Sequence, residues 1–375
     1  MMPTNAIAVF CLLAATVMVL PLLSSVHAAT ISVGPDGGYA KVQEAVDAAE
    51  PGDIILVQNG TYRESVHVTR ELLIIGIDRP VVDAMGNDNA FLIESDEMML
   101  KGFVVLNSSD IGIKLLSDNN IIISNRVVDN DYAGIGLAGS NGNILSGNEL
   151  INNSVYGVYL IDCAKNILNG NYVNKSGNSG FELIGSDWNY ISENIIADNE
   201  NDGIELKSSE NNTINGNIAL KNKDGICLEG DSKNNLVVQN NVTGNDIDGI
   251  LLKASEQNVI LGNCIKNNPK GIFLESSGKN LINNNKVCDN LVGIQLNKYS
   301  IDNVVYGNNL INNTNYNVYD ESGINQWNIG SMGNCYSDYD RSANGCIDAD
   351  DDKICDSSRL IPGGASRDEK PLRSN

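Results

Sequence analysis

Histidine is close to absent: the chain has 2 in 375 residues, His27 and His67. Copper is held by clusters of His, Cys or Met, and none is spaced along this chain, so no copper site is predicted. Positive charge is also short. Lys and Arg number 25 against 47 Asp and Glu, a net charge of -22. Such a surface repels nucleic acid and anionic lipid and suits a soluble exported protein or one that attracts cations. Aromatics make up only 5% of the chain. Long apolar runs are missing after residue 23, which excludes a membrane span in the mature chain.

One such run precedes that point. Ala6–Leu23 is apolar and uncharged, followed by Ser24-Ser25-Val26-His27-Ala28-Ala29. Val26 and Ala28 fit the small-residue cleavage rule, so residues 1–28 read as a secretory signal cleaved near Ala28. An uncleaved N-terminal anchor is the alternative, because no Lys or Arg precedes the apolar core. Export permits disulfides. Beyond Cys11, seven cysteines remain, an odd number that leaves at least one thiol unpaired.

What the chain has in quantity is a repeat. Gly, apolar, any, Leu recurs from Gly112-Ile113-Lys114-Leu115 through Gly134, Gly157, Gly180, Gly203, Gly225, Gly249, Gly271 and Gly293, at steps of 22, 23, 23, 23, 22, 24, 22 and 22 residues. A fixed period in this range marks a solenoid, in which each coil buries its apolar face only against its neighbours. Two further beats divide each coil. One is Asn before an apolar pair, as at Asn120, Asn143 and Asn166. The other opens with Asn125, Asn148, Asn171 and their successors, usually with another Asn five residues on. Each beat is three to five residues with period-2 alternation, too short for a helix. The fold class is therefore all-β: a single-stranded parallel β-helix with three strands per ~22–24-residue coil and about a dozen coils. Residues 40–49 carry Val42, Ala45, Val46 and Ala49 at helical spacing and are predicted to cap the open end of the first coil. The predicted organisation is a signal over 1–28, the β-helix over 29–324, and a loop-rich C-terminal cap over 325–375.

The repeat also separates inside from outside. Residues one and three after the phrase glycine point inward; those two and four after it point outward. The outward set includes Tyr159, Glu182, Glu205, Lys207, Glu229, Lys253, Phe273 and Glu275, and it is where function is sought. Glu182, Glu205, Glu229, Glu275, Tyr159 and Phe273 are candidate substrate-binding residues. Asp202, Asp224 and Asp248 precede the glycine on successive coils and should stack about 5 Å apart. Carboxylates so placed raise one another's pKa or hold a cation. With Lys207 or Lys253 they form a candidate catalytic set, against the plain reading that Asp-Gly is a favoured turn pair.

In the tail, Asp348, Asp350, Asp352 and Asp356 take positions 1, 3, 5 and 9 of a calcium loop, with the Ile354 carbonyl at position 7. Arg359 stands where the bidentate Glu belongs, and Lys353 where the turn prefers Gly. Two readings stay open: a calcium site, or an acidic turn tied by a Cys346–Cys355 disulfide. Cys264 and Cys288 lie one coil apart and form a second disulfide candidate or a buried thiol pair.

Two resemblances bear on this pattern. Tyr39…Val42-Gln43-Glu44-Ala45…Pro51-Gly52-Asp53…Gly60-Thr61-Tyr62…Glu64 resembles the N-terminal coils of pectin-lyase-like β-helix proteins. The whole mature chain resembles the right-handed parallel β-helix proteins grouped with NosD, an accessory of nitrous-oxide reductase maturation, and with carbohydrate-binding and sugar-hydrolysis β-helices. The tail is similar to that of archaeal secreted or surface members, through Asn325-Gln326-Trp327, Gly333-Asn334-Cys335-Tyr336-Ser337-Asp338-Tyr339, Ile361-Pro362-Gly363-Gly364, Asp368 and Pro371-Leu372. The resemblance implies a secreted or surface protein that binds a polysaccharide along an outer face. The alternatives it leaves are a calcium-dependent polysaccharide lyase or glycoside hydrolase, and a NosD-type metal-maturation accessory, which the missing histidines disfavour.

Overall fold

The computed structural model describes residues 28–373. The segment expected as a signal lies, but for Ala28, outside them. The described chain winds as a parallel β-solenoid whose coils contribute to three long parallel sheets of 13, 13 and 12 strands. The first sheet runs from Thr30–Val33 to Val304–Tyr306, the second from Thr61–Arg63 to Cys335–Tyr336, and the third from Val66–Val68 to Tyr316–Asp320. Strands as short as three residues suffice because each is paired above and below, about 4.8 Å away.

Register aligns like with like. Ile204 lies beside Ile226 and Leu206 beside Leu228, and all four are fully buried. Burying each such side chain contributes roughly 1.5–3 kcal/mol, so the Ile, Leu and Val columns form one continuous core. At the N-terminal end, helix α1 (Val42–Ala48) covers that core with Val42, Ala45 and Val46. The Glu64 carboxylate, from the next coil, accepts from the Val42 and Gln43 amides at 2.8 and 3.0 Å and caps the helix. Short strands at Thr61–Arg63 and Val81–Asp83 were not legible in the sequence; each has too few apolar residues to make a run.

The Asn beats are amide ladders. Asn217 is typical: its side-chain oxygen accepts from the Asn194 amide N–H at 3.0 Å and the Asn194 side-chain Nδ2 at 2.9 Å. Its own Nδ2 donates to Asn240 Oδ1 at 3.0 Å and to the Ile191 carbonyl at 2.9 Å. The ladder asparagines themselves do not take the left-handed backbone that the turn requires. From Asn120 to Asn313 the residue immediately before each one does, as at Ser124, Gln239 and Trp188, which frees the asparagine to point inward.

The last coil continues past residue 324 although its sequence period has faded. Asn325 and Asn334 extend two of the ladders, accepting from the Asn303 and Asn308 amides at 2.9 and 3.1 Å. Trp327 and Tyr336, both fully buried, close the open end. Trp327 Nε1 donates to Asp320 at 3.2 Å and the Tyr336 hydroxyl to Asp368 at 2.9 Å.

Candidate functional site

Three outward columns run along the third sheet. One holds the residue before each phrase glycine. Backbone bonds from Gly203 to Asp224 (2.8 Å) and from Gly225 to Asp248 (2.9 Å) stack Asp202, Asp224 and Asp248 in sequence, and Lys270 follows Asp248 in register. The middle column runs Lys114, Gly136, Tyr159, Glu182, Glu205, Cys227, Leu251 and Phe273. The last contains Lys207, Glu229, Lys253 and Glu275.

Pointing outward does not leave these acids exposed. Glu182, Glu205, Asp202, Asp224 and Asp248 are all buried, because neighbouring columns close over them. Lys207 ties the cluster: its Nζ lies 2.8 Å from Glu182 and 2.7 Å from Glu205, while its own side chain stays 32% exposed. Ser179, itself buried, donates to Glu205 at 2.7 Å. Burial pushes the Glu182 carboxyl up to about 8, helped by Glu205 and opposed by Lys207. For Glu205 burial works in the same sense, but hydrogen bonds with Glu182, Lys207 and Ser179 outweigh it and hold the carboxyl below its usual value. Burial also raises Asp202 to about 8, with the charges of Asp224 and Glu205 adding to it, and Asp248 to about 6 against the nearby Lys270 ammonium. Asp224 is raised by burial too, and accepts from the Asp248 amide at 2.8 Å. Neighbouring acids thus differ in readiness to hold a proton, which is the arrangement that acid–base chemistry uses. Lys253 lies further along, 53% exposed and 3.6 Å from Glu229. Lys270 Nζ sits 3.7 Å above the Phe273 ring.

Sequence reasoning named Tyr159 but missed the aromatic cluster and the notch around it. Tyr132, Tyr156 and Tyr159 form an aromatic cluster, with Tyr156 stacked on Tyr159 at 5.0 Å and Tyr132 edge-on to both at 5.5 and 5.6 Å. Next to it Gly136 occupies the middle column between Lys114 and Tyr159. Without a side chain there, the face dips into a notch of about 180 Å³ walled by Tyr132, Tyr159, Lys114 and Asp110. A Cβ at Gly136 would fall 2.6 Å from Ile111. The second glycine of Gly134-Ile135-Gly136 was the available signal, since every other coil has a side chain at that position.

Among the described residues, two groups could hold a metal ion. Ligand atoms of Asp348, Asp350 and Asp352 converge within 4.8 Å of one another, and so do those of Asp202, Glu205 and Cys227. In the tail, Lys353 adopts φ 70°, the left-handed turn expected of glycine, and Cys346 and Cys355 are joined in a disulfide with Cα atoms 5.0 Å apart. The Asp356 carboxylate accepts from the Ala349 amide at 2.8 Å, and Ile354 bridges to Leu372. The second disulfide candidate is corrected: Cys264 and Cys288 are both free. Cys264 pairs in register with Lys286 and Cys288 with Lys266, so one coil of sequence separation leaves them two positions out of line.

Comparison with known proteins agrees with this geometry. A model described as periplasmic copper-binding protein (NosD) matches residues 199–341, and one described as right handed beta helix region matches residues 89–242. No curated protein matches the chain. Among solved structures it is similar to the Dettilon tailspike protein (TM-score 0.64, 17% identity, 72% of this chain and 63% of that one). It is also similar to the A-module of the mannuronan C-5 epimerase AlgE4 from Azotobacter vinelandii (0.58, 14%, 76% and 93%). A variant of the periplasmic alginate epimerase AlgG aligns as well (0.53, 17%, 74% and 84%). At these identities the likeness is one of fold, and the chain spans less than two thirds of the tailspike. By its three parallel sheets the chain is a parallel β-helix protein, similar to the right handed beta helix region over residues 89–242 and to NosD over residues 199–341.

Proposed function

We propose that this is an extracytoplasmic protein that binds a polysaccharide along the outer face of the third sheet, with the tyrosine-walled notch at Gly136 as a principal subsite. The observation that carries the reading is that notch. Ligand sites combine aromatic walls with a few placed polar groups, and here the tyrosine rings stand beside the Lys114–Asp110 ion pair at 3.1 Å. Its volume suits one sugar ring lying on an open face rather than an enclosed small molecule. Coils repeat about every 4.8 Å, so an extended chain lying along the solenoid meets a similar set of positions coil after coil. The disulfide supports an oxidising compartment, as do the periplasmic description of the NosD match and the periplasmic epimerase of the same fold. Glycan binding by the full chain tests the reading, with uronate and neutral polymers compared. Tyr159→Ala should weaken binding at least ~10-fold, about 1.4 kcal/mol, with the fold intact by circular dichroism. Absence of binding to every polymer, or equal affinity of Tyr159→Ala, overturns it.

A second reading, a polysaccharide lyase or hydrolase, is favoured by the raised Glu182 and Asp202 carboxyls, which hold protons near neutral pH. Substrate would have to displace Lys207 to reach them. Release of an ultraviolet-absorbing unsaturated sugar from a uronate polymer, abolished in Asp224→Ala, would establish it.

Calcium is the ion we assign to the tail. Three carboxylates and a backbone carbonyl are hard oxygen donors, and Asp348 Oδ1 is buried without a hydrogen-bond partner. Arg373, 3.3 Å from Asp348, must yield to the ion. Calcium should raise the melting temperature of the protein but not of Asp350→Asn; equal responses, or none, refute the assignment.

A further inference from the structure

We infer that Asp202, Glu205 and Cys227 form a buried site for a borderline divalent metal ion of the zinc and cadmium class, distinct from the tail. Register places the donors together: Cys227 lies directly beside Glu205 on the next coil, and Asp202 precedes Glu205 by three residues in the coil that leads into the same strand. Their ligand atoms lie within 4.8 Å of one another. The three residues are 2–3% exposed. An independent observation points to a missing partner: Asp202 Oδ1 is fully enclosed and makes no hydrogen bond.

The donor set decides the class of ion. One sulfur with two carboxylate oxygens suits zinc or cadmium; Cu(I) selects several soft sulfurs, and calcium takes oxygen donors alone. Zn–S near 2.3 Å and Zn–O near 2.1 Å put tetrahedral donors about 3.6 Å apart, so the three atoms have to draw in by no more than about an ångström. Asp224, stacked beside Asp202, is placed to supply the fourth donor. Binding releases the Cys227 thiol proton, and the proton held by Asp202, to solvent. The resulting negative charge is balanced by the ion and by the ammonium groups of Lys207, 2.7 Å from Glu205, and Lys223, 3.9 Å from Asp224. Both lysines reach the surface, 32% and 45% exposed, so swinging them aside opens a way in. The site does not depend on carbohydrate binding.

The test uses the full chain, with its disulfide oxidised, and cadmium chloride as the probe. One cadmium ion per chain should survive desalting and give the near-ultraviolet charge-transfer band of a cadmium–thiolate bond. Cys227→Ser should lose the band, and the near-isosteric Asp202→Asn and Glu205→Gln should bind at least ~10-fold more weakly with unchanged far-ultraviolet circular dichroism. Cys335→Ser and Cys264→Ser, at free thiols away from the cluster, should behave as the parent. A band that survives Cys227→Ser, an ion displaced by millimolar calcium, or no retained cadmium each overturns the assignment. If Cys227→Ser fails to fold, the two carboxylate variants decide.

Discussion

Lys207 is the cation that lets two buried glutamates face each other, and removing it should expose that dependence. In Lys207→Met the apolar stem is nearly preserved while the ammonium, 2.7–2.8 Å from both carboxylates, is lost. Removing one partner of a buried ion pair costs about 3–5 kcal/mol because the other charge is stranded. Lys207 is about one-third exposed, so solvent screening reduces this to roughly 2–3 kcal/mol. The stranded charge is chiefly that of Glu205, since Glu182 is raised to about 8 and holds a proton at neutral pH. The loss therefore has a sign in pH. Without the ammonium, burial raises Glu205, and lowering the pH protonates it and relieves the strain. Urea unfolding followed by circular dichroism at pH 7.5 and 5.5 should give a midpoint deficit at the higher pH that shrinks by at least half at the lower. Adding Glu205→Gln to Lys207→Met should recover most of the stability at pH 7.5. A deficit that is equal at both pH values, or a double variant weaker than the single one, would refute the account.

The wild-type protein should itself lose stability as pH rises. Glu182 and Asp202 are raised to about 8 and Asp248 to about 6 in the folded state, so what they contribute is complete below the ordinary carboxylate range and is lost as pH climbs through 6 and 8. For Asp248 alone the change from 3.8 to about 6 is on the order of 3 kcal/mol. Melting temperature should fall between pH 5.5 and 8.5, less steeply in Glu182→Gln; a flat or rising profile contradicts the buried acids. Asn217→Ala orphans two donors of Asn194 and one carbonyl of Ile191. At about 1–3 kcal/mol for each buried unsatisfied group the substitution should cost ~3–9 kcal/mol in denaturant unfolding, and a loss under ~1 kcal/mol would show that the ladder is dispensable.

The β-helix was legible because its code is local and repeated. Gly203-Ile204-Glu205-Leu206 states which two residues turn inward, and repetition at one period leaves stacking as the means of burying them. The Asn ladders were legible for the same reason. Helix α1 was expected over 40–49 and runs Val42–Ala48. The candidate site was legible only in part: the period put Asp202, Asp224 and Asp248 in one column, as the backbone ladder does.

Composition and period by themselves determined an acidic, histidine-poor, three-strand coil repeat and its inward and outward columns. Tertiary structure alone decided which outward residues meet solvent. Glu182 and Glu205 share the parity of exposed residues yet are buried, because exposure depends on neighbouring coils and columns some 22–26 residues away, as in the bonds from Lys207 to Glu182 and from Ser179 to Glu205. The same holds for the Gly136 notch, which exists only because Lys114 and Tyr159 flank it, and for Cys264 and Cys288, which a two-position offset in register keeps apart. Period sets which way a side chain points; only the stacked coils set what it meets there.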